Sequence, residues 1–196
     1  MDLQISVFLL FVLFTAGHSL RCYGCYSETG SCTGSQTETT CPSTWCKSIV
    51  TTSVVGDVTI KTRSKGCASE CQSVSSNFGY ERMNVSCCNT DLCNAQDLSD
   101  PVPNGKKCYT CDEKGCSKTL SCLGDEDRCI TITGHSQGLL SVVKGCVSKS
   151  ACAATALVKN VRGISCCEGN LCNGAQSVTQ SFLFLCGSLL SYFLMH

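Results

Sequence analysis

The sequence has few of the side chains that carry out chemistry, and it has no excess of charge of either sign. It holds three histidines, one tryptophan and three prolines, and its 15 basic residues are balanced by 15 acidic residues. Nucleic-acid-binding domains usually carry a basic excess. The composition therefore argues against that class, and we expect no nucleic-acid partner.

The sequence also lacks an apolar run long enough for a transmembrane helix, which takes about 20 residues. The run Ile5–Gly17 is short and N-terminal, as the core of a signal peptide is. The small residues at its end predict cleavage after Ser19. We therefore expect residues 1–19 to be a signal peptide that directs the chain into the secretory pathway; a retained N-terminal anchor is the alternative.

The C-terminal end has the layout of an anchor signal. Small residues at Asn173–Ala175 precede a polar stretch, Gln176–Ser181, and a mostly apolar tail, Phe182–Met195. This order is the signal for a GPI anchor. We expect residues 174–196 to be removed and the mature protein to lie on the extracellular face of the plasma membrane. The predicted attachment site is Asn173, with Gly174 and Ser177 as alternatives.

Removing both ends leaves His135 as the only histidine, because His18 lies in the signal peptide and His196 in the tail. A Ser-His-Asp or Cys-His arrangement needs a histidine that is oriented by a third group in a supported pocket. His135 falls in the polar segment Gly134–Gly138, which we interpret as a solvated hairpin turn. The sequence therefore predicts no catalytic residue and no enzymatic activity.

Cysteine is the residue in excess, with 21 in 196 positions. That density is typical of a disulfide scaffold, which requires an oxidising compartment. Cys186 lies in the predicted tail, so the mature chain keeps 21 − 1 = 20 cysteines. The spacings Cys22-x2-Cys25 and Cys108-x2-Cys111 also occur in zinc and redox sites, but zinc would need thiolates in a reducing compartment. We predict structural bridges, with no metal and no cofactor.

The cysteines follow a duplicated pattern. The run Cys166–Asn173 reads Cys-Cys-x4-Cys-Asn, and the same run occurs earlier as Cys87–Asn94. Adjacent cysteines cannot easily bridge each other, so each must reach a different partner, and the repeat indicates a duplicated disulfide module. We predict two domains, at residues 20–95 and 108–173, joined by a linker at residues 96–107. Each domain is too small to rely on a hydrophobic core, so the bridges are expected to carry the stability.

Between the cysteines the sequence is typical of strands. Lys47–Lys61 has β-branched residues on both sides of Gly56–Asp57, which predicts a hairpin with a two-residue turn. The second domain repeats the pattern with Ile130–Thr133, the turn Gly134–Gly138 and Leu139–Lys144. No stretch of the mature chain has a convincing helical period. The predicted fold class is therefore all-β and disulfide-rich.

These landmarks resemble a known family. The residues that carry the resemblance are Leu20–Cys25, the Gly-Cys pairs at Gly66–Cys67 and Gly145–Cys146, and the closing Cys-Cys-x4-Cys-Asn of both domains. They are similar to those of the lymphocyte-antigen-6 and urokinase-receptor family, whose domains share the three-finger fold of snake neurotoxins. The resemblance covers nearly the whole mature chain and implies two tandem three-finger domains.

The resemblance also implies a function. We expect a GPI-anchored surface glycoprotein, of the receptor or adhesion type, that binds an extracellular protein ligand through its disulfide-braced fingers. The alternative is a secreted inhibitor, because the segment Pro103–Cys108 also resembles the joint between the domains of gamma-type phospholipase inhibitors. The urokinase receptor has three domains, and its first domain lacks the bridge that Cys71 and Cys87 would make here, which argues against urokinase as the ligand. The sequence identifies neither the ligand nor an oligomeric state.

The resemblance implies one connectivity for the cysteines, which spacing alone leaves open. In the first domain the implied pairs are Cys22–Cys46, Cys25–Cys32, Cys41–Cys67, Cys71–Cys87 and Cys88–Cys93. In the second domain they are Cys108–Cys129, Cys111–Cys116, Cys122–Cys146, Cys152–Cys166 and Cys167–Cys172.

Three polar features carry further hypotheses. Asn84 begins the only Asn-x-Ser/Thr sequon and predicts an N-linked glycan, with an unused sequon as the alternative. Lys61, Arg63 and Lys65 alternate along one strand, which puts them on one face. They form either a contact patch for an acidic partner or a solvated face that discourages edge pairing. The acidic run Asp125–Asp127 is interpreted as a solvated turn.

Overall fold

The structure is a computed structural model that describes residues 19–28, 31–136, 139–155 and 163–174. Most of the predicted signal peptide and anchor signal lies outside these residues. Within them the chain forms strands and one short helix, which confirms the all-β class. The elements are β1 (Leu20–Ser27), β2 (Thr37–Cys41), β3 (Trp45–Val55), β4 (Val58–Ala68), β5 (Val74–Asn77), β6 (Glu81–Cys88), β7 (Pro103–Asp112), β8 (Gly115–Leu123), β9 (Arg128–Ser136), β10 (Leu139–Val147), α1 (Lys149–Thr155) and β11 (Gly163–Cys167).

The first domain consists of three antiparallel hairpins, or fingers. β1 pairs with β2, β3 with β4, and β5 with β6, while β3 also pairs with β6 and β1 with β4. In β3, the side chains of Cys46, Ser48 and Val50 are buried and those between them are half-buried. This alternation is the period of a strand that has one covered face.

The tip of the second finger is the two-residue turn that the sequence predicts. Val55 pairs with Val58 across Gly56–Asp57. Gly56 has a φ of 60°, a left-handed value that glycine adopts without steric cost. The finger therefore ends in a tight turn just beyond Ser53, the last residue of β3 that pairs with β6.

The second domain repeats the plan with β7–β8 and β9–β10 hairpins, and β11 pairs with β9. Its second finger differs from the prediction, because β9 continues to Ser136, which pairs with Leu139. Gly134 and His135 therefore lie in a strand and not in a turn. Strand pairing uses main-chain groups, so the ladder can continue beyond the β-branched run that marks it in the sequence.

The helix α1 is also absent from the predictions. Its seven residues make only about two turns, too few to show a helical period. Ser148 caps its N-terminus, because its hydroxyl accepts a hydrogen bond from the N–H of Ala151 at 3.3 Å. The side chain of Ala151 packs against Ile130 and Val147, so burial fixes the position of the helix.

Cysteine fills the interiors of both domains. The sulfurs take the place of the large apolar side chains that a larger core would use. The ten disulfides join the same pairs that the resemblance implies. The buried clusters, each cysteine at most 1% exposed, are Cys22, Cys41 and Cys46 in the first domain and Cys108, Cys122, Cys129 and Cys146 in the second.

The asparagine that follows the last cysteine of each domain ties its strands together. The side chain of Asn94 accepts a hydrogen bond from the N–H of Tyr23 at 2.9 Å and donates to the carbonyl oxygens of Tyr23 at 2.9 Å and Lys47 at 3.3 Å. Asn173 makes the equivalent three bonds to β7 and β9. This shared role gives the repeated Cys-Asn ending a physical reason.

The two domains share one sheet. β10 pairs with β5, with Cys146 opposite Asn77 and Val147 opposite Ser76, so nine strands run in the order β11-β9-β10-β5-β6-β3-β4-β1-β2. The approach is close at Gly145, where a Cβ would lie 2.3 Å from the carbonyl oxygen of Asn77. We call the contact of β5 with β10, together with the side chains around it, the joint.

The segment between the domains is shorter than the predicted linker. Pro103–Lys107, its second half, begins strand β7. Pro103 is the first residue of that strand, where its missing N–H costs no hydrogen bond of the ladder. Only the residues between Asn94 and Pro103 connect the domains without belonging to a strand.

Candidate binding site

The connecting segment is bound to the sheet of the first domain by buried cations. Lys65 Nζ lies 3.0 Å from Asp97 Oδ1 and 2.8 Å from the carbonyl oxygen of Ala95. Arg63 donates to the carbonyl oxygen of Leu98 at 2.8 Å. Arg63 and Lys65 are only 8% and 7% exposed, so these two form neither a contact patch nor a solvated face. The prediction is wrong because the connecting segment covers this face of the strand.

Lys61, the third residue of the predicted patch, holds the segment at a second point. Its Nζ lies 2.5 Å from Asp100 Oδ1, and Arg82 of β6 lies 3.6 Å from the same oxygen. The hydrogen bond from Lys61 lowers the pKa of Asp100 against the opposing effect of burial. Burial raises the pKa of Asp97, but hydrogen bonds from Lys65 and a backbone N–H outweigh it and lower the pKa. Both carboxylates are therefore held in the charged form.

Polar groups cross the joint on one side. The hydroxyl of Ser75 donates to Glu126 Oε1 at 3.1 Å, and the N–H of Ser148 donates to the carbonyl oxygen of Ser75 at 2.9 Å. The N–H of Ser75 donates in return to the hydroxyl of Ser148 at 3.0 Å. Glu126 is fully buried. The interpretation of Asp125–Asp127 as a solvated turn is therefore wrong for its middle residue, which no local pattern marks as buried.

Apolar side chains pack at the same joint. Val74 and Phe78 of the first domain contact a cluster formed by Ile130, Val147 and Ala151 of the second. These three residues are at most 7% exposed. A shared ladder, a polar bridge and an apolar cluster together fix how the two domains are placed.

A groove lies beside the joint, with one wall from each domain. Val54, Phe78 and Tyr80 line it from the first domain, and Thr110 and Leu120 line it from the second, around a cavity of about 390 Å³. The hydroxyl of Thr110 donates to the carbonyl oxygen of Phe78 at 2.6 Å, which ties the two walls together. The rings of Phe78 and Tyr80 stack with their centroids 6.4 Å apart.

Charged residues edge the groove on the side of the second domain. Asp112, Glu113 and Lys118 line it there, and all three are exposed. An apolar concavity with a few polar groups at its edge is the usual composition of a binding site. We call this the inter-domain groove.

The second finger of the first domain adds exposed apolar surface next to the groove. Val54, Val55, Val58 and Ile60 are 44%, 65%, 60% and 46% exposed, and Tyr80 is 50% exposed. Large apolar side chains exposed side by side mark interaction surfaces. Of these five, Val54 and Tyr80 also line the groove. Val55, Val58 and Ile60 lie on the other face of the finger, because Val55 pairs with Val58 and Val54 with Thr59.

A second cavity, of about 510 Å³, lies at the base of the first domain. Its lining is Leu20, Thr44, Asn89, Thr90 and Asp91, in which only Leu20 is a hydrophobic residue. This cavity has a wall from one domain only and no cluster of apolar anchors. The inter-domain groove is therefore the better candidate.

Cysteine sulfurs cluster closely in both domains, as the ligands of a metal ion do. The sulfurs of Cys22, Cys41 and Cys67 lie within 4.8 Å of one another, a spacing that would suit a metal ion. All three are in disulfides and offer no thiolate. His135 has its backbone in β9, and its side chain is outside what the structure describes.

The structure describes the predicted glycosylation site and two of the three candidate anchor sites. Asn84 lies in the middle of β6, half-buried, opposite Val50 of β3 and Ser75 of β5. Asn173 is 5% exposed because its side chain ties the strands of the second domain. Gly174 packs against the ring of Tyr109, and Ser177 lies outside the described residues. No helix of the described residues is long and apolar enough to cross a bilayer.

Comparisons with known proteins agree with the geometry. A family model described as "Snake toxin and toxin-like protein" matches residues 20–94 and 107–173. The urokinase plasminogen activator surface receptor of Rattus norvegicus is 31% identical over 90% of this chain and 62% of the receptor, and that of Mus musculus is 29% identical over 90% of the chain and 63% of the receptor. The chain therefore spans less than two thirds of these receptors. The phospholipase A2 inhibitor PIP of Malayopython reticulatus is 26% identical over 73% of the chain and 81% of the inhibitor.

Proposed function

Because the chain belongs to the snake toxin and toxin-like protein family, with two domains of the Ly6 and urokinase-receptor type, we propose that it is a receptor-type binding protein of the cell surface that recognises an extracellular protein and catalyses no reaction. The observation that carries the proposal is the inter-domain groove. It is apolar, it is open to solvent, and it exists only because the joint holds two domains side by side.

The groove favours a partner that inserts an apolar side chain. Phe78, Tyr80 and Leu120 offer an apolar lining, and the charged edge at Asp112 and Lys118 can orient polar groups on the partner. Buried apolar or aromatic anchors supply most of the binding free energy of protein interfaces. A pre-formed groove also lowers the ordering cost of association. The proposed docking surface is the inter-domain groove, which includes Val54 at the end of the second finger.

A pair of valines on one finger provides the test. Val54 lines the groove, whereas Val58 is exposed on the same finger but does not line it. In affinity capture from living cells with the 20–173 fragment, we expect Val54→Glu to weaken capture at least about tenfold, because a charge would have to be buried without a partner. Val58→Glu should leave capture within about twofold of the wild type.

The two variants separate the possible outcomes. If both weaken capture equally, the finger tip and not the groove is the docking surface. If neither does, the groove has no part in binding. Far-ultraviolet circular dichroism and a thermal melt of both variants show that the fold is kept.

We propose further that a GPI anchor holds the protein on the membrane and that Ser177 is the attachment site. Asn173 and Gly174 are both packed into the second domain, and attachment there would leave no spacer between the fold and the lipid. Phosphatidylinositol-specific phospholipase should release the protein from expressing cells. Mass spectrometry of the C-terminal peptide then identifies the modified residue, and a glycolipid remnant on Asn173 would refute the choice of Ser177.

A secreted inhibitor is the second candidate. It is favoured by the 81% of the phospholipase A2 inhibitor PIP that the match covers, a larger share than for the receptors. Protein found intact only in the medium, together with inhibition of a secreted phospholipase A2 by the purified chain, would support this function over the receptor type.

A further inference from the structure

Glu126 is a fully buried carboxyl group at the joint, and the proposed binding function does not use it. It belongs to the turn after β8, where its Oε2 accepts a hydrogen bond from the N–H of Leu123 at 2.8 Å. Its Oε1 accepts from the hydroxyl of Ser75, which belongs to the other domain. One titratable side chain therefore bridges the two domains from a site without water contact.

The charges around Glu126 do not compensate for its burial. From β6, the cation Arg82 lowers the pKa of Glu126, but Arg82 is also paired with Asp100. From the same turn, the carboxylate of Asp125 raises the pKa of Glu126. On the β5 side it faces the neutral hydroxyl of Ser75. A buried carboxylate that lacks a dedicated cation is costly, so the neutral acid is the better occupant of this site.

From the β7 side, Asn104 donates to the backbone carbonyl oxygen of Glu126 at 3.1 Å and leaves its carboxyl group untouched. Lys106 is directed to the carbonyl oxygen of Asp127 at 2.9 Å. Neither residue supplies an ion pair to Glu126. These contacts hold the turn without involving the carboxyl group of Glu126.

We propose that Glu126 makes the joint sensitive to pH, so that its two domains are locked together when this carboxyl group is protonated and separate more readily when it is ionised. The inference concerns the regulation of the inter-domain groove and in that respect rests on the proposed function, because the groove has a wall from each domain. The joint itself can be tested without any ligand.

The direction follows from linkage. Burial raises the pKa of Glu126 from 4.5 to about 7, against the lowering effects of the hydrogen bonds from Leu123 and Ser75. The closed joint therefore holds a proton that the open joint releases between these two values. The free energy of closing the joint is most favourable below about pH 4.5. It becomes less favourable as pH rises and levels off above about pH 7. Between about pH 5 and about pH 8 the opening constant should rise roughly 70-fold.

Amide hydrogen exchange measures this opening directly. The full chain is expressed in animal cells, purified as the cells process it, and compared at about pH 5 and about pH 8 after correction for intrinsic exchange. Protection of the amides of Ser75 and Ser148, which bond across the joint, should fall roughly 70-fold. Protection along the β3–β4 ladder, for example at Thr51 and Thr62, should change less than about twofold.

Two variants assign the effect. Glu126→Gln keeps the shape but cannot ionise, and it should remove the pH dependence at Ser148. Asp125→Asn, at the adjacent exposed carboxyl group, should retain it. The proposal is overturned if wild-type protection at Ser148 does not fall as pH rises. It is also overturned if protection in Glu126→Gln falls as much as in the wild type.

A direct titration covers the case in which Glu126→Gln does not fold. The carboxyl carbon resonance of Glu126 in the wild type should titrate near pH 7, and a midpoint below about pH 5 would overturn the proposal. Failure of this proposal and failure of the binding function are distinguishable. Loss of capture by Val54→Glu with pH-independent exchange refutes only the pH-sensitive joint, whereas pH-dependent exchange with unchanged capture refutes only the groove.

Discussion

At the scale of single residues, the terminal asparagine of each domain holds strands together, a role that apolar packing has in a larger core. Asn94 connects β1 with β3 through three hydrogen bonds and is only 4% exposed. The same two strands are also linked by the Cys22–Cys46 bridge. A short polar side chain thus replaces packing in a module that has little apolar volume.

Removing this side chain should therefore be costly. We expect Asn94→Ala to lower the free energy of unfolding by about 2–4 kcal/mol, because it leaves three partly buried backbone groups without the partner that Asn94 provides. Asn89→Ala, at an exposed asparagine of the same loop, should change it by less than about 0.5 kcal/mol. Urea denaturation of both variants checks this. An equal effect of the two substitutions would contradict the role of Asn94.

The residue scale also shows what could be read from the sequence and what could not. The family resemblance implies the cysteine pairs, because the order and spacing of the cysteines can be read directly from the sequence. Glu126 could not be recognised, since it sits in an acidic run that is typical of a solvated turn, and its contact with Ser75 comes from the other domain. Burial by a distant part of the chain leaves no local signal.

At the scale of elements, strand β4 contributes two lysines that differ in how far they are exposed. Lys65 of β4 is buried and bound to Asp97, whereas Lys61 of the same strand pairs with the exposed carboxylate of Asp100. Side-chain exposure is 2% for Lys65 and 27% for Lys61. Ion pairs near the surface contribute little, but a buried carboxylate that loses its partner is strongly unfavourable.

The two lysines should therefore respond differently to the same substitution. We expect Lys65→Met to destabilise the protein by about 2–4 kcal/mol, since Asp97 stays partly buried beside a neutral side chain. Lys61→Met should cost about 0–1 kcal/mol. Guanidinium denaturation would mask the ion pairs by screening, so urea is the denaturant of choice. Equal losses would show that the connecting segment is not held at Lys65.

The elements themselves were predictable where the pattern is local. The hairpin of β3 and β4 follows from β-branched residues around Gly56–Asp57, and the structure has that turn. The helix α1 was not predictable, because a helix of about two turns shows no period. The end of β9 at Ser136 was not predictable either, because main-chain pairing can continue beyond the apolar residues of a strand. The proline and glycine of Pro103–Lys107 are typical of a linker, yet these residues begin strand β7.

At the scale of the whole molecule, the joint turns two modules into one continuous sheet. Nothing in the four residues of β5, Val-Ser-Ser-Asn, marks this strand as the partner of β10. An edge strand offers its backbone groups to any strand of suitable geometry, so the residues of β5 do not specify which strand pairs with them. The placement of the domains, and with it the groove, is a property of the assembled chain.

The two repeated glycines allow this joint to be tested apart from the domains. In the matching Gly-Cys pairs, Gly66 has no atom within 4 Å of where a Cβ would lie, whereas a Cβ on Gly145 would lie 2.3 Å from the carbonyl oxygen of Asn77 and 2.8 Å from the ring of Phe78. The backbone carbonyl cannot move aside without breaking the β5–β10 ladder. We therefore expect Gly145→Ala to open the joint, at a cost of about 1–3 kcal/mol, while all ten disulfides form in both domains.

Small-angle scattering of the purified protein measures the result. Gly145→Ala should increase the radius of gyration and lower the amide protection at Ser148, while Gly66→Ala should behave as the wild type. If Gly145→Ala keeps the compact shape, the joint tolerates a methyl group and the domains are not held by close backbone approach. If the shape opens and capture by the groove is lost with it, then the groove depends on a contact between backbones, and any change that loosens that contact also controls binding.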